Sequence, residues 1–297
     1  MKFSSIAITG AALGLAHASP VKRQAISDAD ILNYALTLEH LEATFYEEGL
    51  KNYTQQDFID AGYMDPFYAN LQVIASDEQT HEQFLTQALS AAGASPVARC
   101  TYSFPATDVE SFLALASILE GVGVSAYLGA AASIMNGKYL TAAGSILTVE
   151  ARHSAYLRSY LGEKPAGQPF DNPLDFDEVY TLAAPFITSC PSSNGMLPVK
   201  AFPTLTAISS GSIMSGSQVV VMAGTGFNTS MDTSDISAAF VTVTGPVFTS
   251  VTSNGSGNYT VTVPAGVSGQ SYVVLTKGNS TVTDDTILAG PAILEVL

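Results

Sequence analysis

Two stretches of the sequence, IASDEQTHEQFL (residues 74–85) and ILTVEARHSAYL (residues 146–157), carry the same pattern. Each contains a glutamate, a histidine three residues later, and then an aromatic residue and a leucine. The two pairs are Glu78–His81 and Glu150–His153. Residues at positions i and i+3 lie on one face of an α-helix, so each pair can bind a single ion. The repeat predicts two similar helices that contribute to one site.

Two further stretches share a second pattern, a glutamate followed by a tyrosine seven residues later. They are ILNYALTLEHLEATFY, with Glu39 and Tyr46, and SILEGVGVSAYL, with Glu120 and Tyr127. Seven residues make about two helical turns, so each tyrosine shares a helix face with its glutamate. Glu120 is the only charged residue in a long apolar run, and a buried carboxylate is costly unless it meets a cation or a donor. These carboxylates therefore predict a bound cation.

The first part of the chain has the apolar spacing of helices. Four long helices and a short one are expected: from Asp28 to about Glu48, from Asp65-Pro66 to a Gly stop, from a Thr107 cap to about Asn136, from Lys138 to Leu161, and after Pro173. Helices of about 20 residues have the length seen in four-helix bundles.

The end of the chain has the composition of strands. Segments such as SQVVVMAG and NYTVTVPAG are rich in Val and Thr and are bounded by Gly, Asn or Ser. The 297 residues also exceed what one hydrophobic core usually organises. We therefore expect an α+β multidomain chain, with a helical bundle over residues 24–190, a linker over 191–200 and a small β-sandwich over 201–297.

The N-terminus has the features of a signal peptide. Lys2 precedes an apolar run that ends in small residues, and Lys22-Arg23 offers a dibasic processing site. We expect residues 1–23 to be removed and the protein to be secreted, possessing no transmembrane segment. Two patterns agree with export: a single cysteine pair suited to one disulfide, and five N-x-S/T glycosylation sequons. The residues are Cys100 and Cys190, and Asn52, Asn228, Asn254, Asn258 and Asn279.

The net charge of −15 narrows the class of partners. Nucleic acid is excluded as a partner because no basic surface is available to displace counterions from phosphates. An anionic membrane surface is disfavoured for the same reason. Metal cations are the partners that this composition favours.

The order Glu, Glu-x-x-His, Glu, Glu-x-x-His on successive helices is the ligand set of di-iron and di-manganese carboxylate bundles. Over residues 28–190 the chain resembles the ferritin-like superfamily and, more narrowly, secreted ferritin-like proteins of fungi related to late-sexual-development and desiccation-related stress proteins. The resemblance implies a ferritin-like bundle with two Fe or Mn ions. The ligands it implies are Glu39, Glu78, His81, Glu120, Glu150 and His153.

Several assignments stay open at this point. Glu42 lies one turn from Glu39 and is the alternative ligand on the first helix. Glu78 and Glu120 are candidates to bridge the ions, but the sequence does not assign the bridging residue. Tyr46 and Tyr127, like Glu42, are expected beside the ligands as hydrogen-bonding partners, and a metal-free carboxylate–histidine network is the plain alternative.

Two functions from different classes fit these features. In the first, two redox metals oxidise a metal ion or react with O2 or peroxide, as a ferroxidase or a manganese-catalase-like oxidoreductase would. In the second, the protein is a non-catalytic stress or cell-surface protein that is held in the cell wall, and its ions only brace the bundle. No catalytic residue beyond the ligands is identified, and the oligomeric state is not predicted.

Overall fold

The computed structural model describes residues 26–209 and 211–297, so the expected signal peptide lies outside the described residues. Within these ranges the chain forms six α-helices and nine β-strands. The helices are α1 (Asp28–Asn52), α2 (Gln55–Asp60), α3 (Phe67–Ala91), α4 (Val109–Ala130), α5 (Gly137–Tyr160) and α6 (Phe176–Ala183). The strands are β1 (Thr101–Tyr102), β2 (Ile187–Ser189), β3 (Leu205–Ile208), β4 (Gln218–Ala223), β5 (Ile236–Phe240), β6 (Val247–Gly255), β7 (Asn258–Thr262), β8 (Gly269–Lys277) and β9 (Ile287–Val296).

The four long helices pack in two pairs, α1 with α3 and α4 with α5, and α1 also contacts α4. Their shared core is rich in aromatic rings, among them Phe45 and Phe112, which stack with centroids 4.7 Å apart. At Gly129 a Cβ atom would lie 1.7 Å from the carbonyl oxygen of Leu174. A larger residue at that position would therefore force the chain before α6 away from α4.

Two helix starts differ from the predicted ones. The N-cap of α4 is Asp108 and not Thr107, because the Asp108 carboxylate accepts the Ser111 N–H at 2.8 Å and the Ser111 hydroxyl accepts the Asp108 N–H. Pro66 precedes α3 without a side-chain cap, and Asp65 instead accepts a hydrogen bond from Gln55 in the unexpected helix α2. Both shifts move the start of a helix by one or two residues and leave its buried face unchanged.

The segment Val109–Ser133 is long and apolar enough to cross a membrane by length and composition alone. In this fold, however, 72% of its most apolar window is buried inside the protein. A core helix passes the same test, and the packing of α4 against α1 and α5 accounts for its apolar sequence.

Within the described part of the C-terminal region, seven strands form one antiparallel sheet in the order β3-β4-β7-β6-β5-β8-β9. Strand β6 joins its two halves, since residues 247–250 pair with β5 and residues 251–255 pair with β7. The outermost strands β3 and β9 also lie against each other, so the sheet curls into a nearly closed barrel. The α+β class is confirmed, but the predicted sandwich of two separate sheets is wrong, because a strand shared by both halves keeps the sheet continuous.

The barrel packs closely on the helical domain. Tyr272 from β8 is fully buried, and its hydroxyl contacts Ser125 Oγ at 2.9 Å and donates to the Gly121 carbonyl at 3.0 Å. Arg158 from α5 donates two hydrogen bonds of 2.6 Å to the carboxylate of Glu295 in β9. The two domains are therefore joined by specific polar contacts as well as by the chain.

The predicted disulfide between Cys100 and Cys190 is present. It lies beside the short β1–β2 ladder, and the side-chain amide of Asn194 bonds both the N–H and the carbonyl of Ala98 at 2.8 Å. Of the five sequon asparagines, only Asn258 is partly buried, and the others are exposed. Their glycosylation stays a prediction.

Candidate metal centre

Seven polar side chains from the four long helices meet at the centre of the helical domain. Each is at most 9% exposed, although acidic and imidazole groups are seldom buried without partners. They are Glu39 and Glu42 from α1, Glu78 and His81 from α3, Glu120 from α4, and Glu150 and His153 from α5. The structure thus brings together all six residues expected as ligands.

Within the described residues, these side chains form two overlapping groups of four. In each group, one donor atom from every member lies within 4.8 Å of the others. The groups are Glu39, Glu78, His81 and Glu150, and Glu78, Glu120, Glu150 and His153. Glu78 and Glu150 belong to both groups, whereas Glu39, His81, Glu120 and His153 each belong to one.

The hydrogen bonds of the carboxylates separate the glutamates of one group, Glu39 and Glu120, from those of both groups, Glu78 and Glu150. Tyr127 of α4 donates to Oε1 of Glu39 on α1, and Tyr46 of α1 donates to Oε1 of Glu120 on α4 at 2.5 Å. Each tyrosine therefore contacts the glutamate of the opposite helix and not the one on its own. Oε2 of Glu39 and of Glu120 remains without a hydrogen bond.

In Glu78 and Glu150, by contrast, neither carboxylate oxygen has a hydrogen-bonding partner among the described residues. Two such carboxylates can each offer one oxygen to each of two ions. A buried carboxylate whose oxygens accept no hydrogen bond is costly, and a bound cation removes that cost.

The two histidines face these oxygens through Nδ1. His81 Nδ1 lies 3.3 Å from Glu150 and 3.5 Å from both Glu39 and Glu78. His153 Nδ1 lies 3.0 Å from Glu78. The other ring nitrogen of the second histidine, Nε2, lies 3.2 Å from the carboxylate of Asp77, a partner that fixes the ring orientation as metal-binding histidines require.

The electrostatics of the cluster are those of a site built for positive charge. Burial raises the pKa of Glu39 to about 7, although His81 opposes the shift. Burial and then the carboxylate of Glu120 raise the pKa of Glu150 well above its ordinary value. Burial alone would lower the pKa of His153, but the carboxylates of Glu120 and Glu78 outweigh it and raise that pKa to about 11. Without a metal, the cluster is therefore expected to retain protons.

The donor set fits transition-metal ions. Six carboxylate oxygens and two imidazole nitrogens of the six candidate ligand residues are buried without hydrogen-bonding partners. Carboxylate oxygen combined with imidazole nitrogen suits Fe and Mn, whereas structural zinc sites usually use thiolates. Two dications would also balance the charge of the four carboxylates that bear these oxygens.

Glu42 is buried beside the cluster but belongs to neither group of four. Burial, and next the carboxylate of Glu150, raise its pKa well above the ordinary value. No described residue forms a hydrogen bond or an ion pair with it. On α1, Glu39 belongs to one of the two groups of four and Glu42 to neither.

His40, by contrast, is buried but belongs to neither group of four. Its Nε2 lies 2.9 Å from the Val97 carbonyl and its Nδ1 lies 3.0 Å from Glu82. Glu82, which follows His81 in the sequence, in turn pairs with Arg99, so its negative charge is already balanced.

Gly123 of α4 provides a sensitive position for a mutation. A Cβ atom there would lie 2.7 Å from Oε2 of Glu150 and 3.1 Å from Oε1 of Glu42. We expect Gly123→Ala to displace the shared carboxylate of Glu150 and to weaken metal binding about 10–100-fold, the range seen when a ligand loses its support. Isothermal titration with Mn2+ measures this change.

The matched control is Gly144→Ala on α5, where an added Cβ has nothing within 4 Å. This variant should bind metal as the natural chain does, while its helix gains about 1 kcal/mol from the loss of a glycine. Equal metal affinity in both variants would show that Gly123 does not set the position of Glu150.

Two features of the site have no local signal in the sequence. The contact of Gly123 with Glu150 and the crossed tyrosine bonds both join residues on different helices. Only the spacing of Glu and Tyr pointed to hydrogen bonding near the ligands. The helix that each tyrosine contacts is decided by how α1 packs on α4.

Comparison with known proteins agrees with this geometry. Residues 27–163 match the family model described as a ferritin-like domain, a segment that contains every residue of the two groups. The protein rds1 of Schizosaccharomyces pombe is 26% identical over 182 residues, which cover 61% of this chain. The chain spans less than half of that relative's length, with 44% of it aligned. Together these similarities support a ferritin-like helical domain with a fungal relative.

Proposed function

We propose that the helical domain binds two Fe or Mn ions through Glu39, Glu78, His81, Glu120, Glu150 and His153. The observation that carries this proposal is the set of buried carboxylate and imidazole atoms without hydrogen-bonding partners, arranged in two groups that share Glu78 and Glu150. When bound, the ions would exchange electrons with O2 or peroxide: Fe2+ would be oxidised to Fe3+ with O2 as the electron acceptor, or Mn ions would both oxidise and reduce peroxide.

The chain itself positions and protects the site. Tyr46 donates to one carboxylate oxygen of Glu120, and Tyr127 donates to one carboxylate oxygen of Glu39. The other oxygen of each glutamate is left for the cluster. Burial, followed by the charge of the adjacent glutamate, raises the pKa of both phenols, so they stay protonated and donate. Asp77 orients His153 from outside. The surrounding apolar core limits the access of water.

We also propose that the protein acts outside the cell, in stress or development. The signal-peptide pattern of residues 1–23, the Cys100–Cys190 disulfide and the exposed sequons support secretion. Glycans on the barrel would face solvent at Asn228, Asn254 and Asn279, a placement that also suits association with the cell wall.

The test is an activity assay on chains loaded without oxygen. Fe2+-loaded protein should consume O2 and form Fe3+, or Mn2+-loaded protein should release O2 from peroxide, and His153→Ala should reduce the rate to that of the free ions. Circular dichroism must show that the variant keeps its helices. Activity of the variant equal to that of the natural chain would contradict catalysis at this site.

The second candidate is a bracing role for the ions. It is favoured by the close packing of buried carboxylates, whose mutual repulsion a bound cation relieves. In that case metal raises the unfolding temperature, neither loaded form is active, and His153→Ala loses stability and has no activity to lose.

A further inference from the structure

A cavity of about 310 Å³ lies between the helical domain and the barrel, next to the metal cluster. Its walls come from α1, α4, α6 and the turn after α6, and from strands β3 and β9 of the barrel. Leu119 and Leu182 line it from the helices, and Ala207 and Ile293 line it from the barrel. The C-terminal domain therefore completes a space that the helices alone leave open.

Only one wall of the cavity carries charge. Glu42 is the single ionisable residue among the described side chains that line it, and it is 5% exposed. No described residue forms a hydrogen bond or an ion pair with its carboxyl group. A ligand that hydrogen-bonds Glu42 would therefore gain that bond without breaking one between Glu42 and another described residue.

The carboxylate–histidine cluster of the candidate metal centre lies directly behind the wall that carries Glu42. Gly123 lines the cavity, and a Cβ on it would come within 2.7 Å of Glu150 and 3.1 Å of Glu42. Because Gly123 is a glycine, no side chain at this position separates the cavity from the carboxylate of Glu150, which belongs to both groups of four.

We infer that this cavity binds a neutral, mainly apolar molecule that bears a hydroxyl group, an alcohol or a phenol, with the hydroxyl against Glu42. The apolar walls favour the hydrocarbon part of such a molecule, and the space corresponds to roughly ten water volumes. A hydroxyl can donate to a carboxylate or accept from a carboxylic acid, so it pairs with Glu42 in either form. Binding of this molecule does not depend on the proposed function. Only a role for it as a substrate rests on the proposed function.

Charge excludes the competing ligand classes. An anion would meet Glu42 in a chain whose net charge is −15, and its burial among apolar walls is costly. A cation would be attracted to Glu42 but repelled by the two bound dications of the proposed centre, and its burial among apolar walls is costly. A neutral molecule avoids both penalties.

The test measures binding of 1-naphthol to the full, metal-loaded chain by equilibrium dialysis, with 1-naphthoate and 1-naphthylmethylamine as charged controls. We expect saturable binding of one 1-naphthol per chain, and binding of both charged analogues at least about tenfold weaker, a difference of about 1.4 kcal/mol. Tighter binding of either charged analogue, or no saturable binding of 1-naphthol, would overturn the inference.

Two variants that fill the cavity locate the binding. Ala207→Phe and Leu182→Trp should each weaken 1-naphthol binding at least about tenfold, equivalent to about 1.4 kcal/mol. Ile208→Phe is the control, because Ile208 follows Ala207 in β3, is 49% exposed and lies outside the cavity lining. Circular dichroism and metal content, measured on each variant, separate blocked binding from misfolding. If both filled variants bind 1-naphthol normally, the probe is bound elsewhere and the inference is wrong.

A further variant tests the role of the carboxyl group. Glu42→Leu should abolish the preference for 1-naphthol over naphthalene, which we expect to be about tenfold in the natural chain, or about 1.4 kcal/mol. An unchanged preference would contradict the contact with Glu42. The dialysis is repeated on chelator-treated protein to separate the two proposals. A chain that takes up no metal but still binds 1-naphthol would contradict the proposed function and leave the inferred binding cavity in place.

Discussion

Glu78→Gln should abolish binding of both metal ions, whereas Glu39→Gln and Glu120→Gln should each leave about one ion per chain. The reason is the division of donor atoms, since Glu78 belongs to both groups and neither of its oxygens is hydrogen-bonded. Glu39 and Glu120 belong to one group each and already use one oxygen for a tyrosine. We expect the loss of affinity in Glu78→Gln to exceed the 10–100-fold that the loss of an outer partner costs.

Metal content after dialysis, measured by mass spectrometry, reads these stoichiometries directly. Glu48→Gln is the control, because Glu48 is exposed on α1 and has no contact with the cluster. Removing one charge from a set of buried like charges should not unfold the metal-free chain, so urea unfolding checks that every variant is folded. Equal metal contents in the Glu78 and Glu39 variants would contradict the shared role of Glu78.

Removal of the disulfide should produce the largest loss of stability of any change outside the cluster. Cys100 and Cys190 are 90 residues apart, and the loop that they close holds α4 and α5 with three of the six expected ligands. In the chain-entropy description, opening a loop of this length costs about 4–5 kcal/mol. The double variant Cys100→Ser/Cys190→Ser should lose about this much in free energy of unfolding.

Urea unfolding of metal-free protein measures this effect, because bound metal would stabilise both chains and hide the difference. The folded variant should keep the metal stoichiometry of the natural chain, since the β1–β2 ladder and Asn194 hold the same region together. Natural protein treated with a reductant is the matched control and should unfold at the same urea concentration as the variant. A loss below about 1 kcal/mol would contradict the expectation that the cross-link stabilises the fold by constraining the unfolded chain.

The ligand-bearing helices could be predicted because their signals are local. Glu78–His81 and Glu150–His153 repeat within single helices, and the apolar spacing around them needs no knowledge of the packing partner. The sharing of Glu78 and Glu150 could not be predicted, because it depends on how α3 and α5 face one another across the cluster.

The barrel shows the corresponding limit for the fold. Alternating Val and Thr residues predict strands, but the single sheet results from β6 pairing with both β5 and β7. The cavity over Gly123 likewise needs Ala207 and Ile293, which lie far along the chain from the helices that they cover. Such contacts between distant residues leave no pattern in one sequence.

The most direct measurement is anaerobic titration of the chelator-treated full chain with Fe2+ and, separately, Mn2+, followed by removal of free ions and mass spectrometry of the bound metal. Uptake that saturates at about two ions per chain is the expected result, because two groups of donor atoms share Glu78 and Glu150. Uptake of neither ion by folded protein would contradict the metal centre and leave a helical domain held by a carboxylate–histidine network alone.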